Sequence, residues 1–296
     1  MLLRFALRTA ERLASALPAR TAYALADLAG DAWRRLAPAR RRLVAANLAR
    51  VCAATGRPTD GPPFRRTLRD AFRSHTRYYL EILRAPGYDR ERIGEIIDVA
   101  DWDEVLAPHI VGQPCVLVSW HLGSFEPFAT FLAERGLRPM APIEEIRPRA
   151  LFEFLTERRT RGAVDVIPLA TARRPLSRKL RDGGLVAIIG DRDLPGDGQP
   201  ITVFGHPTTM PIGPAALAWA HGASIVAGRC LRVAPDRFRV EGVPIEVAST
   251  GDRRADVAAT VAALALRLEH DIAAAPEQWW GAFQPFWPDL DPGAAT

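Results

Sequence analysis

From Pro114 onward the chain is a succession of short, unbroken apolar runs separated by stretches of helical spacing, and this alternation restricts the fold more than any other property. The runs are CVLVSW at 115–120, VDVIPL at 164–169, LVAIIGD at 185–191, SIVAGRC at 224–230 and FRVEG at 238–242. A strand with one face in water alternates apolar with polar residues, whereas a run that is apolar throughout needs cover on both faces. The pattern therefore predicts an α/β fold, with a central, mostly parallel β-sheet flanked by helices.

The first hundred residues lack such runs. Helical spacing over 2–17, 21–50 and 64–84, with the breaker-rich loop 55–63 before the last, predicts a helical N-terminal extension, 1–100, ahead of an α/β core, 101–296. The opening helix sets Leu2, Leu3, Phe5, Ala6, Leu13 and Leu17 among Arg4, Arg8 and Arg12, and Pro18 ends it. Charges at Arg4, Arg8, Glu11 and Arg12 interrupt any signal-peptide core, so the segment is expected to stay on the protein. Such an amphipathic helix either packs into the body or lies in a membrane interface, arginines at anionic headgroups and leucines toward the acyl chains. Arg34, Arg35, Arg40, Arg41 and Arg42, beside Trp33, add weight to the second fate. No stretch reaches the roughly 18 uncharged apolar residues that span a bilayer; the best, 215–228, contains His221.

The charge sum is 39 basic against 34 acidic residues, a net +5, and the basic excess is almost all arginine, since Lys179 is the only lysine. Arginine's planar fork suits phosphate and carboxylate. An Arg- and Ala-rich, Lys-poor composition also follows from a GC-rich genome, so only the placement of particular arginines is informative. Mixed charge throughout, the lack of a nucleic-acid motif and aromatics gathered at one terminus argue against nucleic acid as a partner. Cys52, Cys115 and Cys230 have no paired spacing, which predicts neither a disulfide framework nor a metal site and fits a reducing, cytosolic compartment.

Candidate chemistry lies where two runs end. CVLVSW passes into His121-Leu122-Gly123-Ser124-Phe125-Glu126-Pro127 and then a helical stretch, a strand–turn–helix arrangement that puts His121 at a strand's carboxyl end, where open α/β sheets bind ligands. Glu126, at the helix start, either caps that helix or turns back to hold one imidazole tautomer and free the other nitrogen as a general base. LVAIIG ends in Asp191-Arg192-Asp193, whose acids either face a site or form a solvated loop with a local ion pair. Parallel strand ends lie about 4.8 Å apart, so Asp191 is within reach of His121. One acid is expected to accept from the imidazole while another supports it or the substrate, with Asp193 facing loop or arginine partners. Near the carboxyl end Trp279, Trp280, Phe283, Phe286 and Trp287 either anchor the tail in the core or form an interfacial belt or acyl pocket.

WHLGSFE, IIGDRDLPGDGQPITVFGHPTTMPIGPAALA and PEQWWGAFQPFW, in that order, resemble the bacterial lipid A biosynthesis acyltransferase family, and within it the branch that acylates phosphatidylinositol mannosides. The likeness extends over nearly the whole chain, including RRLVAANLARV and RYYLE at 77–81. It implies a general-base role for His121, with Glu126 in its relay and Asp191 where the mannoside branch carries a glutamate partner. It implies phosphate and substrate contacts for Arg158, Arg159, Arg192 and Asp193. No cofactor is implied; the donor is acyl-CoA as co-substrate, or an acyl carrier protein, and the acceptor a glycolipid at an anionic membrane surface. The expected setting is peripheral, on the cytoplasmic face of the plasma membrane. No Gly-x-Ser-x-Gly elbow occurs, which favours direct transfer with backbone N–H groups after Gly123 facing the oxyanion. Acylation of a lipid A precursor is the alternative within the family, and non-catalytic binding of anionic lipid or nucleic acid the alternative outside it.

Overall fold

A strand covered on both sides must send alternate side chains into two different cores. In the computed structural model, which describes residues 2–162, 164–194 and 196–291, Val116 and Val118 enter one buried cluster while Cys115 and Leu117 enter another. Val186 and Leu185 divide in the same way, as do Ile225 and Val226. Pro195, the end of the expected core (292–296) and the side chains of Leu2 and Arg4 lie outside the described residues.

The strands are β1 (Ile97–Val99), β2 (Cys115–Ser119), β3 (Met140–Ile143), β4 (Asp165–Pro168), β5 (Leu185–Ile189), β6 (Gln199–Val203), β7 (His206–Met210), β8 (Ser224–Ala234) and β9 (Arg237–Ile245). Seven of them form one sheet in the order β1-β9-β8-β2-β5-β3-β4. Every neighbouring pair is parallel except the β8–β9 hairpin, so the sheet is mostly parallel. The helices are α1 (Leu2–Ala16), α2 (Ala19–Leu36), α3 (Pro38–Ala54), α4 (Gly61–Arg84), α5 (Arg90–Ile96), α6 (Ala107–Ile110), α7 (Glu126–Ala133), α8 (Arg149–Gly162), α9 (Arg173–Arg181), α10 (Gly213–His221) and α11 (Arg253–Ala274).

Three differences from the sequence reading have local causes. The helix expected over 21–50 breaks at Ala37, because the residue before a proline avoids helical angles and Pro38 then starts α3. Strand β3 carries Pro142, which reads as a strand breaker, and bonds to β5 at one register position only. The β6–β7 hairpin turns through Phe204 and Gly205, both at positive φ (50° and 78°), as the two-residue turn that matches strand twist requires.

The helical N-terminal region shares the core of the sheet. Val44, Leu48, Val51 and Phe72 lie in one cluster with Val116, Val118 and Trp120. Gly30 lets α2 approach α4 closely, since a Cβ there would stand 2.8 Å from the Arg73 Cα. Between α4 and the sheet lies a buried ion pair, Arg232 with Glu81, to which Tyr23 of α2 donates at 2.9 Å. Removing either charge would strand the other in the interior, at about 3–5 kcal/mol. Among the described residues no helix is long and apolar enough to cross a membrane.

His75 of α4 is packed among Trp33, Tyr79, Trp280 and Phe283. Burial pushes its pKa down to about 3. A histidine depressed in the fold stabilises it fully above the unfolded value near 6.5, and that stability is lost as pH falls from there toward 3. Lowering pH from 6.5 to 5 should therefore cost about 1.6 kcal/mol through this group. Urea unfolding at the two pH values should show the acid loss reduced by about that amount in His75→Gln; an equal loss in both proteins would refute the assignment.

Candidate active site

The connection after β2 runs through α7, whose Phe131 and Leu132 pack on one face of the sheet. That after β5 leads through the β6–β7 hairpin to α10, whose Ala215 and Ala218 pack on the other. Where neighbouring connections leave to opposite faces, a crevice opens beyond the strand ends. Strands β2 and β5 are in register, Ser119 opposite Ile189, so two residues further on each strand His121 and Asp191 come together.

The contact is close. His121 Nδ1 stands 2.6 Å from Asp191 Oδ1, and the His121 backbone N–H donates to both carboxylate oxygens at 3.1 Å. Burial would raise the Asp191 carboxyl, but attraction and hydrogen bonds from His121, with a further bond from Trp279, hold it below the ordinary carboxylate range. An ionised carboxylate only accepts, so Nδ1 carries a proton and, in the neutral imidazole, Nε2 is the nitrogen with the lone pair.

The carboxyl-terminal segment closes the site from behind, in short 3₁₀ turns at Pro276–Gln278 and Trp280–Phe283. Trp279, fully buried, donates from Nε1 to Asp191 Oδ2 at 3.2 Å. Gly281 donates to the His121 carbonyl at 3.0 Å, and a Cβ on Gly281 would come within 2.8 Å of Asp191 Oδ2. Trp280 meets the His121 ring edge to face at 4.5 Å and stacks on Tyr78 at 4.5 Å. Trp279, Phe283, Phe286 and Trp287 thus serve as core anchors, while Trp280 is a wall of the site. The motif PEQWWG marks the segment in the sequence, but no local pattern shows that it meets His121.

The turn after His121 is pinned on both sides. Leu122 bridges to Trp279 and Gly123 to Cys230. Gly123 has φ 65°, and a Cβ there would collide with the Cys230 carbonyl, so glycine is required twice over. The N–H groups of Gly123 and Ser124 are taken by the carbonyls of Gln278 and Cys230. Of the N–H groups expected to face an oxyanion, that of Ser124 is therefore committed to the fold, and that of Ala129 bonds the Phe125 carbonyl.

The other sequence candidates lie apart from the imidazole. Glu126 does not turn back to His121: its Oε1 stands 3.4 Å from Arg159 and 3.5 Å from the Tyr78 hydroxyl, and burial raises its pKa, with Arg159 opposing. Arg159 also donates to Tyr78 at 3.0 Å. Arg158 is buried, ion-paired to Glu11 of α1 and lying over the Phe154 ring. Arg192 pairs with Glu144 at 3.4 Å at the surface. Asp193 accepts from the N–H groups of Gly196 and Gly198 at 3.0 and 2.9 Å, which ties down its own loop. Among the described residues no cluster of three His, Cys, Asp or Glu is arranged to hold a metal ion.

Beside Glu126 and Arg159 a cavity of about 160 Å³ runs between α7 and the sheet. Its lining crosses β3, β5, β2, β8 and β9, with Ala141, Ala187, Leu117, Val226 and Val240, under Phe128 of α7. Ser119, Phe125 and Glu126 also line it, which brings it to the end of β2 that carries His121.

The profile of the bacterial lipid A biosynthesis acyltransferases matches residues 3–287 of the chain. A phosphatidylinositol mannoside acyltransferase of Mycolicibacterium smegmatis is 31% identical over 246 residues, 81% of this chain and 77% of that protein. One of Mycobacterium tuberculosis (strain H37Rv) is 31% identical over 221 residues, 72% and 68% of the two chains.

The carboxylate should decide which ring nitrogen of His121 is protonated. With the imidazole neutral, ¹⁵N spectra of histidine-labelled protein should show His121 as the Nδ1–H form, and Asp191→Ala should return it to the mixture, mainly Nε2–H, of a free imidazole. A His121 signal unaffected by Asp191→Ala would disprove this control.

Proposed function

We propose that this chain, which belongs to the bacterial lipid A biosynthesis acyltransferase family and is an acyltransferase, moves a fatty acyl chain from an acyl thioester to a mannose hydroxyl of a phosphatidylinositol mannoside. The observation that carries the reading is the pairing of His121 Nδ1 with the buried Asp191 at 2.6 Å, next to an apolar cavity. The mannoside acceptor rests on the relatives, at 31% identity. The donor is acyl-CoA or an acyl carrier protein, and the protein acts as a peripheral enzyme on the cytoplasmic face of the plasma membrane.

In this reaction His121 Nε2 takes the proton of the mannose hydroxyl as its oxygen attacks the thioester carbon. Asp191 stabilises the imidazolium that forms, as an ion partner that was already desolvated and in place. The tetrahedral intermediate then expels the thiolate, which collects the proton from Nε2, so that ester and thiol leave and the histidine is neutral again. Trp280 keeps the ring from swinging away. The acyl chain lies in the cavity beneath α7, and Arg159 holds Glu126 paired at the cavity wall.

Purified protein incubated with radiolabelled palmitoyl-CoA and a panel of glycolipids should label the phosphatidylinositol mannoside. Label on a lipid A precursor alone, or on none of the panel, would overturn the reading. His121→Ala should keep the fold, by circular dichroism, and lose at least about 10²-fold in transfer rate, the usual loss of a general base. Ala187→Phe, which adds a ring to the cavity floor, should shift the preference toward shorter acyl-CoA; an unchanged chain-length profile would place the acyl chain elsewhere.

A further inference from the structure

Helix α1 packs against α4 and α8, and little holds it there. Among its described side chains only Ala14 is buried, while Phe5 and Leu13 are 73% and 58% exposed. A helix that buries so little apolar surface is kept in place by its polar contacts. At the carboxyl end Arg84, itself paired with Asp236 at 2.6 Å, donates to the carbonyls of Ala14 and Leu17. Toward the amino end are ion pairs with α8, Arg8 with Glu157 at 3.7 Å and Glu11 with Arg158. Leu17 and Pro18 interrupt the helix before α2 begins, which gives α1 a joint at the end that Arg84 holds.

The pair between Glu11 and Arg158 joins this lightly held helix to the cavity. Arg158 is 6% exposed and lines the cavity beside Glu126 and Arg159. Arg159 has its partners in the wall, Glu126 and Tyr78. Arg158 does not: among the described residues its carboxylate partner is Glu11 alone, reached by one bond from Nη2, and its buried Nε has no acceptor. The edge of a guanidinium, Nε beside Nη2, matches two oxygens of one anion side by side. Glu11 takes half of that edge. A phosphate group has oxygens for both positions, so it satisfies the donor that Glu11 leaves unmet. A guanidinium buried with no anion at all would be costly, and the carboxylate of α1 spares the fold that cost.

We propose that α1 is a strap over an anion site at Arg158: Glu11 holds the guanidinium until a substrate phosphate replaces it, and α1 then swings away about Leu17 and Pro18. The inference rests on the proposed function for its substrates, since both acyl-CoA and a phosphatidylinositol carry phosphate. It adds a contact that substrate must break before it is held. A site that is competent only with the strap open binds with its intrinsic affinity reduced by the open fraction. Because binding is read without transfer, the two readings fail separately. Protein that responds as below yet transfers no acyl chain overturns only the reaction.

The test is calorimetric titration of the full chain with two soluble probes, coenzyme A for the donor and glycerophosphoinositol for the acceptor. Glu11→Gln, which removes the competing charge and keeps the side chain's size, should bind at least one probe about three- to tenfold more tightly than the parent. A gain with coenzyme A alone assigns the site to the donor, a gain with glycerophosphoinositol alone to the acceptor, and a gain with both to a phosphate of either. Arg158→Gln should bind the same probe at least about tenfold more weakly, and adding Glu11→Gln to it should bring no gain. Equal or weaker binding of both probes by Glu11→Gln, or none by either protein, would make the pair a structural tie and refute the proposal. Should a variant fail to fold, the swing is read on its own with a nitroxide at Phe5→Cys, specific because Cys52, Cys115 and Cys230 are buried. Its mobility should rise as the phosphate probes are added to saturation, and an unchanged spectrum would equally refute the strap.

Discussion

A single carboxylate holds three separate parts of the chain in one place. Asp191, at the end of β5, takes the backbone N–H and the ring nitrogen of His121 from the end of β2 and the indole N–H of Trp279 from the carboxyl-terminal segment. It is buried, and a buried charge persists only where donors surround it. The fold meets that demand with groups of the candidate site itself: the histidine, whose ring the carboxylate orients, and the segment that closes behind it. Structural and chemical requirements therefore fall on the same atoms, and the register of β2 against β5 delivers them.

The N-terminal helices reach the same neighbourhood by another route. Asn47 of α3, itself buried, donates to the carbonyls of Ala282 and Gln284 at 2.9 Å, and Arg40 donates to that of Phe283. Phe72 of α4 and Trp33 of α2 pack on the Phe283 ring. The carboxyl-terminal turns are thus gripped by α2, α3 and α4 on one side and by the ends of β2 and β5 on the other. The helical region is part of the frame that holds Trp280 against His121.

Strands β2 and β5 were legible because burial on both faces leaves a continuous apolar run, the one strand pattern that survives without partner information. Strand β3 was not, since Pro142 reads as a breaker until its place beside β4 is known. At the site, the nearness of strand ends made Asp191 a candidate, yet the choice among Glu126, Asp191 and Asp193 depends on matters no local pattern carries. The first turn of α7 faces Arg159 of α8, which takes Glu126 away from the ring. Asp193 closes a loop on Gly196 and Gly198. The two tryptophans stood out in the sequence as a cluster, but their separate duties, one bonded to Asp191 and one against the imidazole, are set by contacts far apart in sequence.

The dependence of the site on Trp279, Trp280 and Gly281 has a consequence for the order in which the protein is made. A ribosome finishes His121 and Asp191 long before it reaches these residues, so a chain still in synthesis holds both members of the pair without the indole that fixes the carboxylate or the wall that steadies the ring. Phe283, which packs on both Trp33 and Phe72, arrives later still. The nascent chain thus carries His121 and Asp191 before the groups that fix them exist, and the pair is completed only when the aromatic turns after residue 276 drop into the gap between helices and sheet.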